Sequence, residues 1–195
     1  YSAGYSSVPT TPTFTSQNSP GNLSSGSISQ IAITPYANSR IVAIGGTAGT
    51  NTYYYASSLG GTLTSFATYS VTPNIGGVAI TNDGNTAIIA VPGKGIFRYT
   101  WVTSTFTNAV VDSSNISPMV LFNQMALSQD QQRIVVGDNS GAVYFSNWNG
   151  SSFNQVTKTL DTGAAGTSTT IYGPAFSPNK NYIVYGDNNL NTWIS

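Results

Sequence analysis

The chain has 195 residues, of which six are basic and six acidic, so the formal net charge is zero and only 6% of residues are charged. An ordinary soluble domain carries about 25%, and six cations with no basic cluster leave little to neutralise phosphates, which argues against nucleic acid as a partner. The 39% hydrophobic and 12% aromatic content can build a core, which argues against disorder, and no apolar run nears the roughly 18 residues of a membrane span.

Neutral hydrogen-bonding side chains do the solvating instead: 26 Ser, 25 Thr and 19 Asn. Such a surface resembles extracellular coats, pili and fibres more than cytosolic proteins. Extracellular or cell-surface localisation is therefore expected. No basic stretch followed by an apolar one opens the chain, so a removed signal peptide or a segment of a longer protein is expected.

Residues 1–27 form the first unit, an N-terminal arm rich in Ser, Thr and Pro. One reading is an extended surface arm. The sharper reading makes Tyr5 to Phe14 a strand that closes or joins sheets, with O-glycans on Thr10, Thr11 and Thr13. Pro9 and Pro12 would confine such a strand to a sheet edge.

From residue 28 onward the chain repeats. Ala32, Ala79, Ala126 and Ala175 recur at spacings of 47, 47 and 49, and Thr34, Thr81, Ser128 and Ser177 follow at the same spacings. An aromatic column, Tyr54, Trp101, Trp148 and Trp193, recurs at 47, 47 and 45. Within one unit, apolar runs over Val78 to Ile80 and Ala87 to Val91 flank a polar turn. An alternating run, Ile96 to Val102, and a looser one, Thr105 to Val111, complete it. Short β-branched and aromatic runs broken by Asn-Asp-Gly or Pro-Gly predict antiparallel hairpins, four strands per period of about 47.

The segment Pro174-Ala-Phe-Ser-Pro-Asn-Lys-Asn-Tyr-Ile-Val-Tyr-Gly-Asp carries the pattern most fully. It resembles the WD40 and YVTN-type β-propeller repeats, a likeness at the level of the repeat over about residues 28–195. The resemblance implies an all-β chain of propeller blades, about 28–72, 73–120, 121–169 and an incomplete 170–195, or roughly 3.5 to 4 blades. Gly-His and Trp-Asp dipeptides are missing, so the hydrogen-bond network and the intracellular scaffolding roles of WD40 proteins do not carry over. An unpaired edge in the fourth blade leaves three resolutions open: closure by the arm, a strand donated by a neighbouring chain, or a longer propeller.

For chemistry the sequence offers little. It holds no His, Cys or Glu, which removes disulfides, imidazole or thiolate metal sites and Ser-His-Asp or Cys-His triads. Four of the six Asp, at 83, 130, 138 and 187, fall at turns, where Asp caps nearby amides. A non-enzymatic protein without cofactor or metal is therefore expected. Asn149, Asn22 and Asn115 head Asn-x-Ser sequons and are the N-glycosylation candidates, with Pro118 disfavouring Asn115. Tyr54, Trp101, Trp148 and Trp193 are read either as packing between blades or as a sugar-stacking platform. These features point to a subunit of a surface coat or fibre, self-associating through the arm or the open blade edge. The alternative is a carbohydrate-binding propeller lectin.

Overall fold

The computed structural model describes residues 27–34, 40–47, 49–58, 61–71, 76–113, 122–153, 156–160 and 170–194, and among the described residues it has fifteen strands and no helix. In chain order they are β1 (Ser27–Ile33), β2 (Ile41–Thr47), β3 (Thr50–Ala56), β4 (Thr64–Ser70), β5 (Gly77–Ile80), β6 (Thr86–Val91), β7 (Gly95–Val102) and β8 (Thr105–Ser113). There follow β9 (Phe122–Leu127), β10 (Arg133–Asp138), β11 (Ala142–Asn147), β12 (Val156–Leu160), β13 (Ile171–Phe176), β14 (Ile183–Asp187) and β15 (Thr192–Ile194). The runs expected in the second repeat coincide with β5 to β8.

The class is all-β. Each sheet is an antiparallel meander of sequence neighbours: β1 to β4, β5 to β8, β9 to β12, and the three strands β13 to β15, here sheets one to four. Short polar turns make this order the cheapest, because a hairpin closes only a small loop. No sheet closes into a barrel among the described residues.

The sheets pack face to face in chain order, with β1, β5, β9 and β13 side by side. Fourth strands touch far less, as between β4 and β8, so the sheets fan outward from their first strands. Three apolar clusters fill the gaps. Val42, Ile44 and Tyr53 of sheet one meet Val78, Ile89 and Phe106 of sheet two. Ile88 and Ile96 meet Met125 and Val136 of sheet three. Val135 and Val143 meet Ile171 and Tyr185 of sheet four.

Side-chain alternation explains the repeated columns. Ala32 packs on the first cluster, Ala79 lies in the second and Ala126 packs on the third, so this column faces the following sheet. Ala175 occupies the same register opposite Val184 and is exposed. Trp101, Trp148 and Trp193 pack on the first, second and third clusters, each toward the preceding sheet, but Trp193 pairs with Tyr185 in the register that Tyr144 holds opposite Val136, so it is the counterpart of Tyr144 and not of Trp148.

Candidate functional site

The hydroxyl column builds one turn three times. Thr81 Oγ1 donates to Asp83 at 2.6 Å, Ser128 Oγ to Asp130 at 2.6 Å and Ser177 Oγ to Asn179 at 2.7 Å. The same hydroxyls accept the amides of Thr86, Arg133 and Tyr182, each at 3.0 Å. A left-handed residue closes each turn: Gly84 at φ 72°, Gln131 at 62° and Lys180 at 62°. Two of the three are not glycine, and the side-chain cap holds them there.

Two carboxylates spent on turns, Asp130 and Asp187, are held strongly acidic. Lys180 Nζ donates to Asp130 at 2.7 Å and Ser128 adds a second bond, taking Asp130 down to about 2. Asn191 and the indole of Trp193, at 2.9 Å each, hold Asp187 at about 2. Asp138 accepts the amides of Ser140 and Ala142 at 2.8 Å. Among the described residues no group of three potential metal-ligating side chains occurs, and no helix is long and apolar enough to cross a membrane.

Polar staples join one sheet to the next. Gln30 Nε2 donates to the Met125 carbonyl at 2.7 Å, while its Oε1 accepts the amides of Val78 at 2.9 Å and Met125 at 3.3 Å. Gln124, two periods on, accepts the amide of Gly173 in the same way. Between them stands Gly77, where an added Cβ would lie 2.4 Å from Met125 Cβ. Only glycine admits the close approach that Gln30 exploits. The first strands β1, β5 and β9 line a groove of about 350 Å³ beside Gln30, reaching Asn82 and Ser128.

A second cleft, about 260 Å³, opens between sheets two and three. Arg98 crosses it: Nε pairs with Asp112 at 2.5 Å, Nη2 donates to the Ser151 carbonyl at 2.7 Å, and the guanidinium lies 4.6 Å from the centre of the Trp148 ring. Burial pushes the Asp112 carboxyl up, and Arg98 opposes the shift. Phe153 packs 5.1 Å from Trp148, and Thr81, Thr86, Gln131 and Gln132 complete the rim. Arg40 makes the analogous reach from sheet one, bonding the Gly84 carbonyl at 2.8 Å and covering Trp101 at 4.1 Å.

The sequence candidates fall into two groups. Asn149 is exposed in the loop after β11, where its Oδ1 accepts the amides of Ser151 and Ser152 at 2.9 Å. Asn22, Asn115, Thr10, Thr11 and Thr13 lie outside the described residues. Tyr54, Trp101, Trp148 and Trp193 are half-buried on four different sheets, so the structure does not gather them into one platform. Gln30, Gln124, Arg40 and Arg98 escaped sequence reasoning. Their signal is a Gln, Gly, Gln, Gly alternation at positions 30, 77, 124 and 173, and cations placed one sheet before an aromatic.

No family model and no curated protein matches the chain. Among solved structures it is similar to a Bacteroides uniformis protein described as a "putative 6-phosphogluconolactonase", at 16% identity and a TM-score of 0.57. The match covers 82% of this chain and 50% of that one, so the chain spans half the length of that protein. The likeness is one of fold, and it overturns one expectation. A chain read as non-enzymatic shares its architecture with a protein described as an enzyme. Missing His, Cys and Glu remove particular catalytic groups, yet Asp, Arg, Lys and Tyr remain, and these also move protons or stabilise charge.

Proposed function

We propose that the four sheets are propeller-type blades and that the chain is a structural subunit of an extracellular coat or fibre. The fan of meanders supports the blade reading, since first strands lie side by side and fourth strands diverge. What carries the assembly reading is the surface: 6% charge with zero net charge, a balance that favours self-association. Subunits joined this way have a high mass that salt does not reduce, because little of the contact is ionic. The size of the native material in low and high salt tests this, and discrete salt-insensitive monomers would overturn it. Glycans on Asn149 and Asn22 belong to the same reading, and an intact mass above 20.4 kDa that falls on deglycosylation tests them.

The arm is the second joint. Deleting residues 1–20 converts the polymer to soluble units if the arm is donated to a neighbour, or lowers the melting temperature if it closes its own chain. An unchanged assembly and melting curve would make the arm a tether.

One observation favours a lectin as the second reading. The cleft between sheets two and three combines Trp148 and Phe153 with Arg98, Thr86 and Gln132, an aromatic wall with polar donors of the kind that holds sugars. Binding on a glycan array that Gln132→Ala weakens, with an unaltered melting curve, would support it.

A further inference from the structure

Asn149 is the one asparagine of 19 that is followed by glycine. The pair sits in the loop after β11 of sheet three, a sheet packed against a neighbour on either side, and both residues are exposed. Gly150 adopts φ 94°, in the left-handed region, and an added Cβ there would meet nothing within 4 Å. No side chain shields the Gly150 nitrogen, whereas every other residue that follows an asparagine carries one.

The local turn fixes the carboxamide beside that nitrogen. Asn149 Oδ1 accepts the amides of Ser151 and Ser152, each at 2.9 Å, and the Asn149 amide donates to the Ser152 carbonyl at 3.2 Å. Two N–H donors at that distance from one carbonyl oxygen are the arrangement that stabilises an oxyanion. They polarise Cγ in the resting turn, and they hold the negative charge on Oδ1 once a nucleophile adds to Cγ. Asn179 has a different cap: its Oδ1 takes the Ser177 hydroxyl at 2.7 Å and the Asn181 amide at 3.2 Å, and Lys180 follows it.

We propose that Asn149–Gly150 is a self-modification site, where the chain converts its own asparagine to aspartyl and isoaspartyl forms with solvent water as co-reactant. The Gly150 nitrogen gives its proton to solvent base and attacks Asn149 Cγ, an attack within one chain that needs no second molecule to be positioned. The carbonyl π pair moves to Oδ1, where the Ser151 and Ser152 amides meet it. Collapse re-forms the carbonyl, breaks the Cγ–Nδ2 bond and releases Nδ2 as ammonia, with a proton taken from solvent. Water then opens the five-membered imide. Attack at Cγ restores the ordinary backbone with an aspartyl side chain, and attack at the main-chain carbonyl leaves the backbone running through Cγ, the isoaspartyl form.

Either product adds a negative charge to a chain whose net charge is zero. The isoaspartyl form also lengthens the backbone by one carbon beside Trp148, which displaces the Ser151 carbonyl that Arg98 holds at 2.7 Å. The tie between sheets two and three thus ages with this residue. A glycan on Asn149 Nδ2 occupies the leaving nitrogen and blocks the reaction, so glycosylation and self-modification are alternatives at one atom. The reaction itself does not depend on whether the chain assembles or binds sugar.

The test incubates the full chain, made without glycosylation, in mildly alkaline buffer with and without urea. Peptide mapping by mass spectrometry locates the amide-to-acid mass change, and isoaspartyl-specific methylation counts the rearranged product. Conversion is expected first at Asn149, in both product forms, and faster in the folded chain than in the urea-unfolded one, which lacks the two bonds to Oδ1. Ser152→Pro deletes one of these donors and is expected to slow the reaction of the folded chain about tenfold, the worth of a hydrogen bond to a charged oxygen, with a urea midpoint to show that the variant folds. Asn149 left intact in the folded chain would overturn the proposal, as would faster conversion in urea or an unchanged rate in folded Ser152→Pro. If Ser152→Pro does not fold, the folded and unfolded rates of the unaltered chain decide alone.

Discussion

Gln30 and Met125 lie 95 residues apart, yet the Gln30 carboxamide both donates to the Met125 carbonyl and accepts its amide. The same side chain takes the Val78 amide, so one residue of sheet one ties down the first strands of sheets two and three. Replacement by Ala leaves three backbone groups without that partner. Gln30→Ala is expected to cost about 1–3 kcal/mol in urea unfolding, with Gln30→Glu also destabilising because a carboxylate cannot donate to the carbonyl. An unchanged midpoint in both would refute the staple.

Arg98 is the second tie. Its removal leaves the buried Asp112 carboxylate unpaired, and Arg98→Ala is expected to cost about 3 kcal/mol at neutral pH. Burial already raises Asp112, and a group whose pKa rises on folding favours the folded state at low pH. The deficit of Arg98→Ala should therefore shrink as pH falls, and Asp112→Asn should relieve part of it at pH 7. A deficit that grows on acidification would mean that the pair is not its source.

Acid itself gives a further prediction. Asp130 and Asp187 are both lowered to about 2 from an ordinary value of 3.8. A carboxylate depressed by folding stabilises above its unfolded pKa, and that contribution fades as pH falls through the folded one. Stability should drop between about pH 4 and pH 2, and the drop should be shallower in Asp187→Asn. Equal slopes in the two proteins would remove Asp187 from the acid transition.

Trp148 packs on the second cluster, under Arg98 and against Phe153. Trp148→Ala should destabilise by about 3 kcal/mol. Thermal melts check this, and a lost glycan signal with an intact melt would instead assign the ring to binding.

What was legible in the sequence is what each repeat states for itself. Strand runs, the Ala column and the hydroxyl turns each recur at one period, because each answers the same local demand of alternation or capping, whereas the aromatic column mixes two registers, Trp193 standing where sheet three has Tyr144. The staples were not legible, for a physical reason. Gln30 works only if Gly77 is absent of side chain, so its column alternates Gln with Gly and carries no single residue type. Arg98 pairs with Asp112 inside its sheet but stacks on Trp148 in the next, and nothing local announces a partner 50 residues away. The exclusion of catalysis failed for another reason: a list of missing side chains describes chemistry the chain lacks, and says nothing of what its remaining groups can do in a shared fold.

The central claim is that equivalent positions face successive sheets, so that the same Ala is covered inside the stack and open at its end. The chain has no cysteine, so single cysteines can report on this. Labelling rates of Ala79→Cys, Ala126→Cys and Ala175→Cys under dilute native conditions measure it directly. The account predicts rapid modification at position 175 and strong protection at 79, with 126 between them. Equal rates at 79 and 175 would contradict it.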